Sequence, residues 1–153
     1  MTLDNVLDQV DGDLESSVAR LLELLRIPSI STDPAYKGDC DAAADWLVDD
    51  LKSIGFDVSK RPTPGHPMVV AHAEGDGPHV MFYGHYDVQP VDPLSLWKTP
   101  PFEPALEDTD KGPVIRGRGS SDDKGQLMTF VEACRAWKVV HGTLPAKISL
   151  FFE

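Results

Sequence analysis

The chain has 153 residues, enough for one domain with a sizeable core, and its apolar (41%) and charged (25%) contents are those of a soluble globular protein. Its net charge of −11 argues against nucleic acid or an anionic membrane as a partner, because both require basic surface. No apolar run approaches the ~20 residues that span a bilayer, and the N-terminal residues do not form a secretory signal. Cys40 and Cys134 form no CxxC pattern, so we expect a reducing, cytoplasmic location.

Apolar residues at helical spacing predict three helices, over about 13–26, 39–54 and 124–140. Pro28 blocks continuation of the first, and Gly55 and Gly142 end the other two. We expect the charged residues of the second helix to form a solvated face, and both cysteines to be core residues. These charged residues are Asp41, Asp45, Asp49, Asp50 and Lys52.

Short runs of apolar and β-branched residues predict strands at 56–58, 68–73, 79–83 and 146–152, and a hairpin over 103–116. The runs at 68–73 and 79–83 are apolar enough to suggest burial on both faces. Helices that alternate with strands in this order predict an α/β sandwich around a mixed sheet. The proline-rich loop that follows Val88 is long enough to suggest a functional role.

His85 and Asp87 follow the strand at 79–83, and a spacing of two in extended chain places both side chains on one face. A histidine that binds a metal needs its other ring nitrogen held, and a neighbouring carboxylate often does this. The pattern therefore indicates a metal ligand, His85, oriented by Asp87. A chance tripeptide at the end of a strand is the alternative, and the pattern alone leaves it open.

Asp122 and Asp123 stand in a turn with Gly119 before and Gly125 after them, at the start of the third predicted helix. Adjacent carboxylates repel each other, and a bound cation or hydrogen bonds would compensate that repulsion. The alternative is that one of them simply caps the helix. A phosphate-binding loop is disfavoured because the GxxxxGK[ST] spacing is absent and two aspartates would repel phosphate.

The other histidines have no partner at ligand spacing, so we expect surface or packing roles for them. They are His66, His72, His79 and His141. Ser120 and Ser121 show no nucleophile elbow. The residues alone therefore indicate two candidate groups, His85 with Asp87 and the pair Asp122 and Asp123, and they leave the alternatives for both open.

The segments GHYDVQP and GRGSSDDKG, in this order, resemble the zinc-dependent metallopeptidase family of carnosinase and related dipeptidases. That family also includes succinyl-diaminopimelate desuccinylase, acetylornithine deacetylase and glutamate carboxypeptidase. The resemblance covers nearly the whole chain and is closest to the dipeptidase branch. It implies a three-layer α/β sandwich whose mixed central sheet is covered by helices.

By this resemblance, His85 is a ligand to one zinc, Asp87 orients it, and Asp122 bridges two zinc ions. The bond between Asp122 and Asp123 is expected to be cis. In the family, a strand like the one ending at Glu153 leads into a glycine and two glutamates, of which the first is the general base and the second a zinc ligand. Glu153 corresponds to neither.

We therefore expect residues 1–153 to be the N-terminal portion of a catalytic domain, without its C-terminal part or its lid and dimerisation domain. The complete enzyme would be a homodimer that hydrolyses dipeptides or N-acyl amino acids with two zinc ions, although cobalt or manganese is possible. The portion itself is expected to be inactive and to bind zinc weakly at best. A binding or scaffold module that kept the fold is the main alternative, and a nucleotide-binding domain is a weaker one.

Overall fold

The computed structural model describes residues 2–153, which form four α-helices, two short 3-10 helices, a four-stranded sheet and a separate hairpin. The helices are α1 (Leu3–Gly12), α2 (Leu14–Leu25), α3 (Lys37–Ile54) and α4 (Lys124–His141). The strands are β1 (Asp57–Arg61), β2 (Met68–Ala73), β3 (His79–Gly84), β4 (Ala105–Thr109), β5 (Gly112–Arg116) and β6 (Lys147–Phe152). The mixed α/β class predicted from the sequence is confirmed.

The order of the four strands in the sheet is β1-β2-β6-β3. Although β2 and β3 are neighbours in sequence, β6 lies between them, antiparallel to β2 and parallel to β3. The last strand, β6, is thus a central strand of the sheet, with β2 on one side and β3 on the other. Strands β4 and β5 form the predicted hairpin, apart from this sheet.

One face of the sheet packs on α3 and α4. Alternate residues of β2 and β6, such as Val69, Leu150 and Phe152, are fully or almost fully buried among side chains of both helices. Each such side chain contributes about 1.5–3 kcal/mol relative to an exposed one. Phe82 of β3 adds a stacked contact with Phe130 of α4, with ring centroids 4.2 Å apart.

The opposite face is much more open, because Met81 and Tyr83 of β3 are 72% and 53% exposed. The expectation that β3 is buried on both faces is wrong within residues 2–153. A run of apolar letters does not distinguish a core strand from one that exposes apolar side chains on one face. The residues of this open face are available to the site at the end of β3.

The charged face predicted for α3 is only partly correct. Asp41 and Asp45 are exposed and pair with Lys60, whereas the side chain of Asp50 is 9% exposed and bonds to Arg135 of α4. Both cysteines are buried and unpaired, as expected, and burial raises the pKa of Cys40 to about 11. Within residues 2–153, none of the helices has the length and hydropathy to cross a membrane.

Candidate metal centre

The chain beyond β3 is fixed by backbone hydrogen bonds on two sides. Tyr86 N–H donates to the carbonyl of Glu153 at the end of β6 (2.8 Å), and Val88 N–H donates to the carbonyl of Ser29 (2.8 Å). The Ser29 hydroxyl donates back to the Tyr86 carbonyl (2.7 Å), and Tyr86 is fully buried. Residues 85–88 are therefore held between β6 and the loop that follows α2.

His85 lies between two carboxylates. Its Nδ1 is 2.8 Å from Asp87 Oδ1, and its Nε2 is 2.9 Å from Asp122 Oδ1. The structure thus brings together all three predicted site residues. Because carboxylates only accept hydrogen bonds, both ring nitrogens act as donors and the arrangement favours imidazolium. Burial lowers the pKa of His85, but the bonds to Asp87 and Asp122 outweigh that effect and leave the pKa raised.

Ser31 extends this chain of contacts and could not be identified from the sequence. Its hydroxyl donates a hydrogen bond to Asp87 Oδ2, so both oxygens of that carboxylate are engaged. Ser31 lies 56 positions before Asp87, and the bridge between Ile30 and Val88 brings its loop alongside. Asp87 is consequently fixed from both sides, and the orientation of the His85 ring follows from it.

Asp122 and Asp123 have different surroundings, although they are adjacent and joined by the expected cis peptide bond. The side chain of Asp122 is 83% exposed, with Oδ1 facing His85. Asp123 occupies the N-cap position of α4 but makes no side-chain cap bond. Its Oδ2 accepts instead from the backbone N–H of His85 (3.1 Å), which ties the start of α4 to the end of β3.

The turn before α4 depends on two glycines. Gly119 has a φ of 82°, in the left-handed region that favours glycine. At Gly125 a β-carbon would lie 2.0 Å from the Ser120 carbonyl oxygen, so any side chain there would force the turn apart. Both glycines therefore allow the close turn that brings Asp122 towards His85.

Lys124, the first residue of α4, ties the turn to the end of α2. It is fully buried, and its Nζ donates to the carbonyls of Leu24 (3.0 Å) and Ile27 (2.8 Å) at the end of α2 and just beyond it. Burial lowers its pKa to about 7. In the sequence Lys124 is only the residue that follows the paired aspartates. Nothing in the spacing of the residues predicts its bonds to the carbonyls of Leu24 and Ile27.

A cleft of about 580 Å³ opens beside His85 on the open face of the sheet. Tyr83 and Glu153 stand at its wall, with the Tyr83 hydroxyl 2.7 Å from Glu153 Oε1. His66, for which a surface or packing role was expected, also lines it, and its Nε2–H donates to the Ser31 carbonyl (2.9 Å). The cleft therefore leaves open volume next to the imidazole.

These residues fit a divalent metal in part. They supply one oriented imidazole nitrogen and one carboxylate that faces it, which are donors typical of zinc. A cation at Nε2 would replace the proton that now points to Asp122. Within residues 2–153, no three His, Cys, Asp or Glu side chains are grouped to hold a metal ion.

The chain is similar to known metal-dependent peptidases in sequence and in fold. The pattern of Peptidase family M20/M25/M40 matches residues 81–153, which include His85, Asp87 and Asp122. This match agrees with the family resemblance that the sequence motifs predicted.

Curated relatives and solved structures agree with this similarity. The chain is 30% identical to the Cys-Gly metallodipeptidase dug1 of Schizosaccharomyces pombe, over 100% of the chain and 34% of the relative. It superposes on human carnosine dipeptidase 1 with a TM-score of 0.87 at 27% identity, over 99% of this chain and 34% of that one. For the M20 family metallo-carboxypeptidase Sso-CP2 from Sulfolobus solfataricus the TM-score is 0.76 at 34% identity, over 90% and 30%. The chain spans about a third of the length of these proteins.

Proposed function

We propose that the chain is the N-terminal portion of the catalytic domain of a metal-dependent dipeptidase. The observation that carries the proposal is His85 held by Asp87 at one ring nitrogen and facing Asp122 with the other. The relatives named as metallodipeptidases cover the whole chain and support the same reaction class. The substrate would be a dipeptide or an N-acyl amino acid.

In this proposal His85 Nε2 and the Asp122 carboxylate would hold the metal, which the family resemblance implies to be two zinc ions. Bound zinc would lower the pKa of a coordinated water towards ~7 and polarise the scissile carbonyl. With a metal at Nε2 in place of the proton, Asp87 would keep a proton on Nδ1 of His85 and so leave the Nε2 lone pair for the metal. Asp123 holds the backbone of His85 in place, and Ser31 holds the carboxylate of Asp87.

In this proposal none of His85, Asp87 and Asp122 is the general base. Glu153, which the resemblance places just before the family's glutamate pair, is engaged with Tyr83 at the wall of the cleft. We propose that the base and the remaining ligands are supplied by sequence outside residues 1–153. On this proposal the 153-residue chain alone does not hydrolyse dipeptides.

The test uses the protein encoded by the whole open reading frame that contains this chain. The protein is purified with zinc and assayed on Cys-Gly and on an N-acyl amino acid. We expect hydrolysis that falls by about a thousandfold or more in His85→Ala and Asp122→Ala, because each removes a ligand. His141→Ala, at the far end of α4, and Asp110→Ala, in the β4–β5 turn, are matched controls that should keep activity.

Two results would contradict the proposal. A folded protein that binds peptide but shows no zinc-dependent hydrolysis would support a binding module that kept the fold. Dipeptide hydrolysis by the purified 153-residue chain, abolished by Asp122→Ala, would show that these residues need no further base or ligand. Under that result the proposed dipeptidase function would stand, but the proposal that the base and the remaining ligands lie outside residues 1–153 would be wrong.

A further inference from the structure

The loop between β1 and β2, residues 62–67, reaches the candidate centre through His66. The Nε2 atom of His66 lies 2.9 Å from the Ser31 carbonyl oxygen, and because a carbonyl only accepts, Nε2–H is the donor. The Ser31 hydroxyl donates in turn to Asp87 Oδ2, and Asp87 Oδ1 faces Nδ1 of His85. A chain of hydrogen bonds thus runs from His66 through Ser31 and Asp87 to His85.

Ser31 depends on His66 because it stands just past the last backbone contact of its own loop. Ile30 forms a bridge with Val88, and Ser31 begins a turn directly after it. Within residues 2–153, no backbone N–H donates to the Ser31 carbonyl, and the His66 ring supplies its donor. Because the carbonyl and the side chain branch from the same Cα, a fixed carbonyl also fixes the direction from which the hydroxyl reaches Asp87.

His66 is itself held in place by the residues around it. It precedes Pro67, and a residue before proline is restricted to extended backbone. The Thr63 hydroxyl donates to the His66 carbonyl (2.6 Å), and the Tyr86 hydroxyl donates to the Pro67 carbonyl. Tyr86 is fully buried and is the residue that follows His85 in the chain. The loop is therefore anchored to the same segment that its histidine helps to orient.

We propose that His66 is a positioning residue of the candidate centre, which holds Ser31 so that Asp87 keeps the His85 ring in its orientation for a metal. This inference rests on the proposed function. Residues that orient metal ligands from outside typically change metal affinity or activity by about 10–100-fold when they are mutated. The hydrogen bonds of His66 reach His85 only through Ser31 and Asp87, so we expect an effect at the lower end of this range or just below it.

The test measures the zinc affinity of the protein encoded by the whole open reading frame, purified without metal, by competition with a fluorescent zinc chelator. His66→Leu removes the donor and keeps apolar bulk, and we expect the affinity to fall by about five- to tenfold. His66→Gln can place an amide N–H near the position of Nε2 and should stay within about twofold of the wild type, whereas the shorter His66→Asn should fall as His66→Leu does. His141→Leu, at the far end of α4, is the control and should leave the affinity unchanged.

The pair of amide variants also covers a failure to fold. Circular dichroism of the metal-free proteins shows which variants are folded, and the comparison of His66→Gln with His66→Asn decides the question if His66→Leu is not. An affinity of His66→Gln as low as that of His66→Asn would overturn the proposal, because the donor at Nε2 would then not be what matters.

A double-mutant cycle with Ser31→Ala separates positioning from a general structural role. If His66 acts through Ser31, His66→Leu should lower the zinc affinity by less than about twofold once Ser31→Ala is present. Equal losses in the two backgrounds, or an unchanged affinity in His66→Leu alone, would overturn the proposal and leave the proposed function standing. A failure of the proposed function looks different, because the wild type would then bind no zinc that His85→Ala removes, and this inference would fall with it.

Discussion

Charged residues cluster both between helices α2, α3 and α4 and at the end of β3, but their charges are compensated differently in the two regions. Between α2 and α4, Arg20 bonds to both oxygens of Glu132, with a shortest contact of 2.6 Å. Between α3 and α4, Arg135 bonds to Asp50 at 2.6 Å and also reaches Glu132. Asp50 and Glu132 are only 9% and 13% exposed, and each bonds to a guanidinium. Among the described residues Asp50 Oδ2 is buried without a partner, and burial raises the pKa of Asp50.

At the candidate centre one imidazole serves two carboxylates, and Asp122 is 83% exposed. The two regions also differ in pKa. Burial raises the pKa of Glu132, but Arg20 and Arg135 outweigh this and lower it, whereas the pKa of His85 is raised by its two carboxylates. In the helical network two guanidinium groups face three carboxylates, because Arg20 also binds Asp13. At the centre one imidazole faces two carboxylates, and one of these, Asp122, is open to solvent.

The largest expected effect is the loss of a guanidinium from the helical network. Arg135→Ala leaves the buried Asp50 without its partner, and we expect the free energy of unfolding to fall by about 3 kcal/mol. Lys60→Ala is the control, because its partners Asp41 and Asp45 are more than half exposed and such pairs contribute about 0–1 kcal/mol. Urea unfolding measures both. A fall for Arg135→Ala no greater than for Lys60→Ala would remove the distinction between the regions.

Lys124 is a buried cation whose contacts are carbonyls rather than a carboxylate. Its pKa is about 7 in the folded chain, against 10.5 for a solvent-exposed lysine, so between these values the unfolded chain binds more protons and stability rises with pH. We expect the stability of the wild type relative to Lys124→Met to rise by about 1.4 kcal/mol per pH unit between pH 7 and 8.5. Urea unfolding of both chains over this range measures it, and a difference that is independent of pH would contradict the burial of a titrating ammonium.

Local signals in the sequence predicted most elements but missed α1, Leu3–Gly12. Strand β2 has the bounds predicted, Met68–Ala73, and α4 begins at Lys124 as expected. The place of β6 between β2 and β3 could not be predicted, because pairing between distant strands leaves no periodic trace in either strand. The exposure of β3 and the buried state of Asp50 likewise depend on which elements pack on them.

The candidate centre was predictable where its residues are close in sequence. A spacing of two placed His85 beside Asp87, and the family resemblance supplied Asp122. Ser31 and Asp123 were missed as contacts of this pair because they reach it from 56 and 38 positions away. Such contacts are set by the loop after α2 and by the turn before α4, which carry only general turn residues.

The pKa of His85 tests how much of the centre's charge acts on the ring. Asp87→Asn replaces a carboxylate with a neutral amide, and we expect the pKa of His85 to fall, with Asp122 as the remaining charged contact. The raised pKa stabilises the fold fully below about pH 6.5, and this contribution is lost as pH rises through the folded value. NMR titration of the imidazole measures the change, and an unaltered pKa would show that the Asp87 contact is not formed in solution.

The smallest expected effect is at Ser31, which touches the ring only through Asp87. Ser31→Ala removes one partly buried hydrogen bond to a carboxylate, and we expect the free energy of unfolding to fall by about 1 kcal/mol. Ser121→Ala, on an exposed residue beside the paired aspartates, is the control and should change it by less than about 0.5 kcal/mol. Equal effects in the two variants would mean that Asp87 is oriented by His85 alone. The larger loss at Ser31 would show that the centre, though open to a cation on one side, is fixed on the other by contacts as specific as those between the helices.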